Sequence, residues 1–141
     1  MTITRYAVAV EFGDCDPAGI VFFPNFLRWI DSASRHYFVE CGVPSWRETE
    51  AAHGIIGTPL VDIKARFVKT ATYGDRLTVE SSVSEWRNRS FSMQHVVRRG
   101  DDVLVEATEV RIFARRVAGE GTRIEAVAIP AFVREACGRR A

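Results

Sequence analysis

Residues 24–41 read PNFLRWIDSASRHYFVEC, and their apolar members recur with a helical period. Phe26, Ile30, Ala33, Tyr37 and Cys41 fall at intervals of four, three, four and four, while Arg28, Asp31, Ser32 and Arg35 take other angles around the axis. That spacing predicts one long amphipathic helix with a face to bury. Both ends are marked as well. Pro24 suits a first helical turn, where the missing N–H has no intrahelical acceptor anyway, and Gly42 supplies the usual stop. A helix with a single apolar stripe needs an apolar surface to lie on, and the flanking sequence supplies it as strands.

Upstream, TRYAVAVE at 4–11 puts Tyr6, Val8 and Val10 on one face and alanines on the other, the period of a strand. Downstream, SWRETEAAHG at 45–54 fits a short helix or irregular cover, and Gly57-Thr58-Pro59 opens a run of strands. Ile63, Ala65 and Phe67 alternate with Asp62, Lys64 and Arg66, and Leu77, Val79 and Val83 alternate with Thr78, Glu80 and Ser84. Two more strand runs, 90–98 and 103–114, flank the turn Arg99-Gly100-Asp101-Asp102, and Tyr73-Gly74-Asp75 divides the earlier pair. Short connections favour antiparallel neighbours. The expected order is strand, long helix, about four strands and a weak helix over 131–137. This is an α+β class chain, an antiparallel sheet wrapped around one long helix, and the sheet's remaining face or edges need cover that a second copy would supply.

A length of 141 residues admits one core, so a single domain over 1–141 is expected. Nineteen basic against eighteen acidic residues leave a net charge of +1, which excludes the broad basic surface of a nucleic-acid binder, so any anion site must be a local cluster. Cys15, Cys41 and Cys137 are odd in number and widely spaced, against a disulfide framework and for a reducing cytoplasm. No apolar run suggests a signal peptide or membrane span. His36, His53 and His95 show no metal-ligand spacing, which points away from metal catalysis.

The stretch richest in chemistry is GDCDPAG at 13–19, two carboxylates in a tight loop just ahead of the helix. Asp, Pro and Gly build turns for plain backbone reasons, so a turn alone explains half of what is there. Position adds the rest. The first amides of a helix lack intrahelical acceptors and carry the positive end of its dipole, so a carbonyl lodged there is stabilised as it becomes an oxyanion. With Phe22, Phe23 and Pro24 as an apolar wall, carboxylate and electrophile stabiliser stand together, which fits acyl transfer with an Asp as nucleophile or general base. Cys15 is the weaker nucleophile by type, since flanking Asp14 and Asp16 oppose its thiolate.

GDCDPAGIVFFPNFLRWIDSASRHYF (13–38), GTPLVDIKARFVKTATYGD (57–75) and EWRNRSF (85–91) resemble the 4-hydroxybenzoyl-CoA thioesterases of the hot-dog fold, and the resemblance spans about residues 5–131. It implies a hot-dog subunit assembled as a homodimer, further as a homotetramer of paired dimers, with active sites at the subunit interface and no cofactor beyond the CoA of the substrate. By the same resemblance Asp16 is catalytic, Asp14 is structural, and the Phe23 backbone N–H donates to the oxyanion. Asp31 corresponds to a helix carboxylate that meets a ring hydroxyl across the interface, although by spacing alone it pairs with Arg35 one turn on, worth a few tenths of a kcal/mol. Thr58 corresponds to an acyl-pocket position, although Gly-Thr-Pro is also a plain strand entry.

Arg87, Arg89 and Ser90 match the nucleotide-binding segment, where guanidinium groups suit the CoA phosphates. Asn88 departs from that segment's more basic pattern, and Arg98, Arg99, Arg115, Arg116 and Arg123 are further candidate cations. The implied activity is hydrolysis of an aromatic acyl-CoA to free acid and CoA. Short-chain aliphatic acyl-CoA hydrolysis and a non-catalytic acyl-CoA-binding module are the alternatives.

Overall fold

The computed structural model describes residues 1–138, so the last three residues of the expected 1–141 domain lie outside the described residues. The elements in chain order are β1 (Thr4–Ala9), a 3-10 turn (Phe12–Asp14), α1 (Pro24–Glu40), α2 (Trp46–His53), β2 (Leu60–Phe67), β3 (Arg76–Trp86), β4 (Ser90–Arg99), β5 (Asp102–Arg116), β6 (Ile124–Val127) and α3 (Ala131–Gly138). The strands form one antiparallel sheet in the order β1-β3-β4-β5-β2, and β6 pairs with the far end of β5. The expected α+β arrangement is present, with one strand more than the pattern predicts. That strand, β6, has four residues and follows a turn carrying Gly119 and Gly121, too short to show a period.

Helix α1 lies against the sheet, in contact with β1 and β3. It buries Phe26, Trp29, Ile30, Ala33, Ser34, Tyr37 and Phe38, a wider stripe than the predicted set, because two apolar clusters pack against it, one around Phe26 and Ile30 and one around Tyr37 and Phe38. The helix stops at Glu40, and Gly42 follows in the left-handed conformation with φ of 86°. The 45–54 segment resolves as α2, started by a capping box in which Ser45 and Glu48 each satisfy the other's backbone N–H.

Two apolar clusters fill the space under α1. One joins Val8, Phe26, Ile30, Leu77, Val79 and Val105. The other joins Tyr37, Phe38, Val83, Phe91, Phe113 and Val133. Between them, also facing the helix, sit Ser81 of β3, His95 of β4, and Glu109 and Arg111 of β5, each no more than 6% exposed. Cross-strand pairing sets Ser81 opposite His95 and Phe91 opposite Arg111, so the polar groups form a slanting row across the sheet.

Strand β2 lies at an edge of the sheet, and Leu60, Val61, Phe67 and the adjoining Val68 are each between 45% and 59% exposed. An exposed apolar edge strand is a surface that proteins normally cover. None of the helices among the described residues is long and apolar enough to cross a membrane.

Candidate active site

The loop 13–19 is built by its own backbone and by two carboxylates with separate duties. Asp14 Oδ2 accepts from the Glu11 N–H at 2.9 Å and Oδ1 pairs with Arg28 at 3.2 Å, while its carbonyl accepts from the Phe22 N–H at 2.9 Å and from Asn25 Nδ2 at 2.8 Å. Asp14 thus ties the loop to the first turn of α1, the structural part expected of it. Asp16 begins a turn through Pro17 and Ala18, closed by the Gly19 N–H on the Asp16 carbonyl at 2.9 Å. Gly19 has φ of 81°, a conformation that side chains oppose. One carboxylate oxygen, Asp16 Oδ1, accepts from the Ala18 N–H at 2.9 Å, and among the described residues Oδ2 has no partner. The turn reading holds, and the turn leaves the Asp16 carboxylate with one oxygen unbonded.

At the start of α1 the orphan donors can be counted. Asn25 and Phe26 already donate to the carbonyls of Phe22 and Phe23 at 2.9 and 3.0 Å, and Pro24 has no N–H. The Phe23 N–H has no acceptor among the described residues. The structure therefore leaves one main-chain donor free at this helix end, at the position the resemblance implies. Phe23 is 58% exposed, and its ring packs edge-on to Phe67 at 5.9 Å.

One chain does not bring the expected residues into a single cavity. Asp16 lines a cavity of about 420 Å³ with Phe12, Cys15, Pro17, Gly19 and Tyr73. Phe23 borders a smaller one of about 160 Å³ against Phe67 and Val68. Asp31 and Thr58 share a third, about 350 Å³, with Trp46 and Arg111. Asp31 does not pair with Arg35, the partner that helical spacing suggests. Its Oδ1 accepts from Arg111 at 2.8 Å, whereas the Arg35 guanidinium lies over the Trp46 ring at 4.9 Å.

Arg111 is the part of the site that sequence reasoning misses. Its Nε and one terminal nitrogen bond both oxygens of Glu109 at 3.1 and 2.7 Å, and its other terminal nitrogen bonds the Thr58 carbonyl at 2.8 Å. Glu109 also meets His95 Nε2 at 2.6 Å, and His95 Nδ1 meets the Ser81 hydroxyl at 2.7 Å. Because a carboxylate only accepts, Nε2 carries the proton in the Glu109 contact. Burial opposes the Glu109 charge, but the hydrogen bonds from His95 and Arg111 hold its carboxyl below its ordinary range. Likewise, burial pulls the Arg111 guanidinium down, and Glu109 and Asp31 more than restore it.

The β3–β4 turn divides its arginines. Arg87 is spent on the turn itself, donating to the Ser90 and Ser92 hydroxyls at 2.8 Å each and pairing with Glu85 at 2.8 Å. Arg89 is exposed and its side chain has no partner among the described residues. The other candidate cations are all occupied: Arg98 by Glu80, Arg99 by Asp75, Arg115 by Glu125, Arg116 by Glu50 and Arg123 by Glu120. His36 is half-buried, with Nε2 at 3.6 Å from Glu40 and its ring 5.4 Å from Tyr6. Among the described residues no three His, Cys, Asp or Glu side chains are grouped to hold a metal.

Comparison with known proteins places the chain among thioesterases. The chain is 50% identical over 133 residues to 4-hydroxybenzoyl-CoA thioesterase of Pseudomonas sp. (strain CBS-3), a match covering 91% of this chain and 92% of that one. A crystal structure of a 4-hydroxybenzoyl-CoA thioesterase Asp-to-Asn mutant, complexed with 4-hydroxybenzoyl-CoA, aligns with a TM-score of 0.88 and 45% identity over 96% of this chain and 98% of that one. A gentisyl-coenzyme A thioesterase aligns with a TM-score of 0.80 and 30% identity over 93% and 99% of the two chains. These likenesses carry the hot-dog fold. A profile of the thioesterase-like superfamily matches residues 10–137, from before the Asp16 loop to the last turn of α3, and the chain belongs to that superfamily.

Proposed function

We propose that this protein hydrolyses the thioester of a hydroxylated aromatic acyl-CoA, of the 4-hydroxybenzoyl-CoA type, to the free acid and CoA. The observation that carries the reading is the free Phe23 N–H on the same loop-and-helix entry as an Asp16 carboxylate with one unbonded oxygen. The thioester carbonyl sits on the Phe23 N–H, which stabilises the negative charge as the carbonyl carbon becomes tetrahedral. Asp16 serves in one of two ways. Its oxygen adds to the carbonyl carbon, the C–S bond breaks, CoA leaves as the thiolate and water hydrolyses the resulting anhydride. Alternatively, Asp16 takes a proton from water as the water oxygen adds, and the same C–S bond breaks. No cofactor enters either route. In a single turnover in isotope-labelled water, label in the Asp16 carboxylate marks the first.

The rest of the substrate is placed by the other two groups. Trp46, Thr58 and Asp31 offer an aromatic wall, a backbone and a carboxylate to a hydroxylated ring, and the substrates named for the relatives carry such rings. Arg89 faces the CoA phosphates from a turn that Arg87 and Ser90 hold in shape. Since Asp16 and Asp31 line separate cavities of one chain, the working site combines two chains, joined where the apolar edge of β2 is covered, in a homodimer that pairs again as a tetramer. Three cysteines outside any disulfide, two of them buried, fit a reducing compartment such as the cytoplasm.

The test is Asp16→Asn, assayed by thiol release from 4-hydroxybenzoyl-CoA with a colour reagent. We expect turnover to fall by at least about 100-fold with ester binding retained. Turnover at the wild-type rate would remove Asp16 from the reaction, and a wild-type protein that binds acyl-CoAs without releasing thiol would be a binding module.

A further inference from the structure

Arg111 is the last buried member of the polar row and the only one that reaches out of the core. Four acceptors converge on one guanidinium: both oxygens of Glu109, the Thr58 carbonyl and Asp31 Oδ1. The side chain of Arg111 is 7% exposed and that of Glu109 is 1%, whereas that of Asp31 is 73% exposed. The chain of bonds from Ser81 through His95 and Glu109 is rigid at its buried end and stops at a carboxylate on the wall of the cavity. Glu109 fixes the guanidinium plane through a bidentate pair, a geometry that a point charge does not offer. The guanidinium in turn fixes two features of the cavity wall that come from distant elements, Asp31 from α1 and the Thr58 carbonyl from the segment before β2. A carboxylate held in an ion pair only accepts hydrogen bonds, so what it recognises is a donor.

We propose that Arg111 is a positioning residue that sets acyl-group selectivity, by holding the Asp31 carboxylate as an acceptor for a ring hydroxyl. The proposal rests on the reading above that the aryl group enters the Asp31–Thr58 cavity. Arg111 does not touch the thioester. It determines which ring is held well enough to react, and Glu109 with His95 determines where Arg111 stands.

The experiment compares kcat/KM for 4-hydroxybenzoyl-CoA and benzoyl-CoA in the wild type, Arg111→Lys, Glu109→Gln and Asp31→Asn. Lysine keeps the charge beside Glu109 but cannot hold Glu109, Thr58 and Asp31 together. The ratio of the two substrates is expected to fall by about 10-fold or more in Arg111→Lys, and in the same direction in Glu109→Gln. A loss shared equally by both esters marks a merely structural role and overturns the proposal. If Asp31→Asn collapses the ratio while Arg111→Lys and Glu109→Gln leave it intact, the positioning role fails but the placement of the ring stands. If Asp31→Asn leaves the ratio intact, the placement itself is wrong. Should Arg111→Lys not fold, Glu109→Gln alone decides, because it loosens the same guanidinium while leaving its other partners in place.

Discussion

The loop at 13–19 and the polar row beneath α1 both hold carboxylates, and they hold them in opposite ways. Asp16 is anchored by one backbone N–H and keeps an oxygen unbonded, in a loop whose surroundings are half-open to water. Glu109 is 1% exposed, and both its oxygens are occupied, by His95 and Arg111. A reacting group needs unspent bonding capacity and tolerates exposure, whereas a supporting group must have every bond made because a buried unpaired charge is costly. The same contrast separates the two arginines of the β3–β4 turn, where Arg87 builds the turn and the Arg89 side chain has no partner among the described residues.

The largest effect that tests this contrast is on stability. Arg111→Met leaves the Glu109 charge buried against His95 alone, and unfolding by denaturant is expected to show a loss of about 3–5 kcal/mol. A loss below about 1 kcal/mol would place the row on the same footing as a surface ion pair and end the comparison. Next comes Asp14→Ala, which frees the Glu11 N–H and unties Arg28 while sparing the apolar clusters. Its stability cost should be about 1 kcal/mol, but thioesterase turnover should fall roughly 10- to 100-fold as the Asp16 loop loses its placement. A stability loss without an activity loss would show that the loop does not need Asp14 to aim Asp16.

The smallest effect is on the acid limb of stability. Glu109 has a carboxyl held below its ordinary range, so its contribution is fully present above the unfolded value of about 4.3 and is lost as pH falls through the lower folded value. The slope of unfolding free energy against pH between those two values should be shallower in Glu109→Gln than in the wild type. Equal slopes would mean that the other depressed carboxyls, such as Asp75 beside Thr72 and Arg99, carry the acid sensitivity instead.

Periodicity made most of the fold legible. The helix at 24–41 and the alternating strands appear close to their predicted bounds because one face of each is apolar and buried. The carboxylate-bearing loop and the helix start beside it were legible for a different reason, since Pro24 and the turn residues mark them locally in sequence, whereas the Phe23 donor came only from the family resemblance. The polar row was not. In β5, Val105, Ala107, Glu109, Arg111 and Phe113 face inward, while Val110 and Ile112 face the other way and are half-buried too. With apolar residues on both faces, a charged pair reads as the wet side of the strand, although it lies on the dry one. The partners that make its burial tolerable, His95 and Asp31, are 14 and 80 residues away from Glu109 and Arg111 respectively. Only the cross-strand register shows that they meet.

A donor that belongs to the main chain has an unusual genetic property. Every residue but proline carries the N–H that Phe23 leaves free, so the side chain at this position can drift through the rest of the alphabet without touching that hydrogen bond. Alanine scanning at position 23 would report on the ring contacts with Phe22 and Phe67 and pass over the amide in silence. In the proposed reaction the group that meets the developing charge is written into the path of the backbone, which the Asp14 tie and the Pro24 start of the helix hold in place.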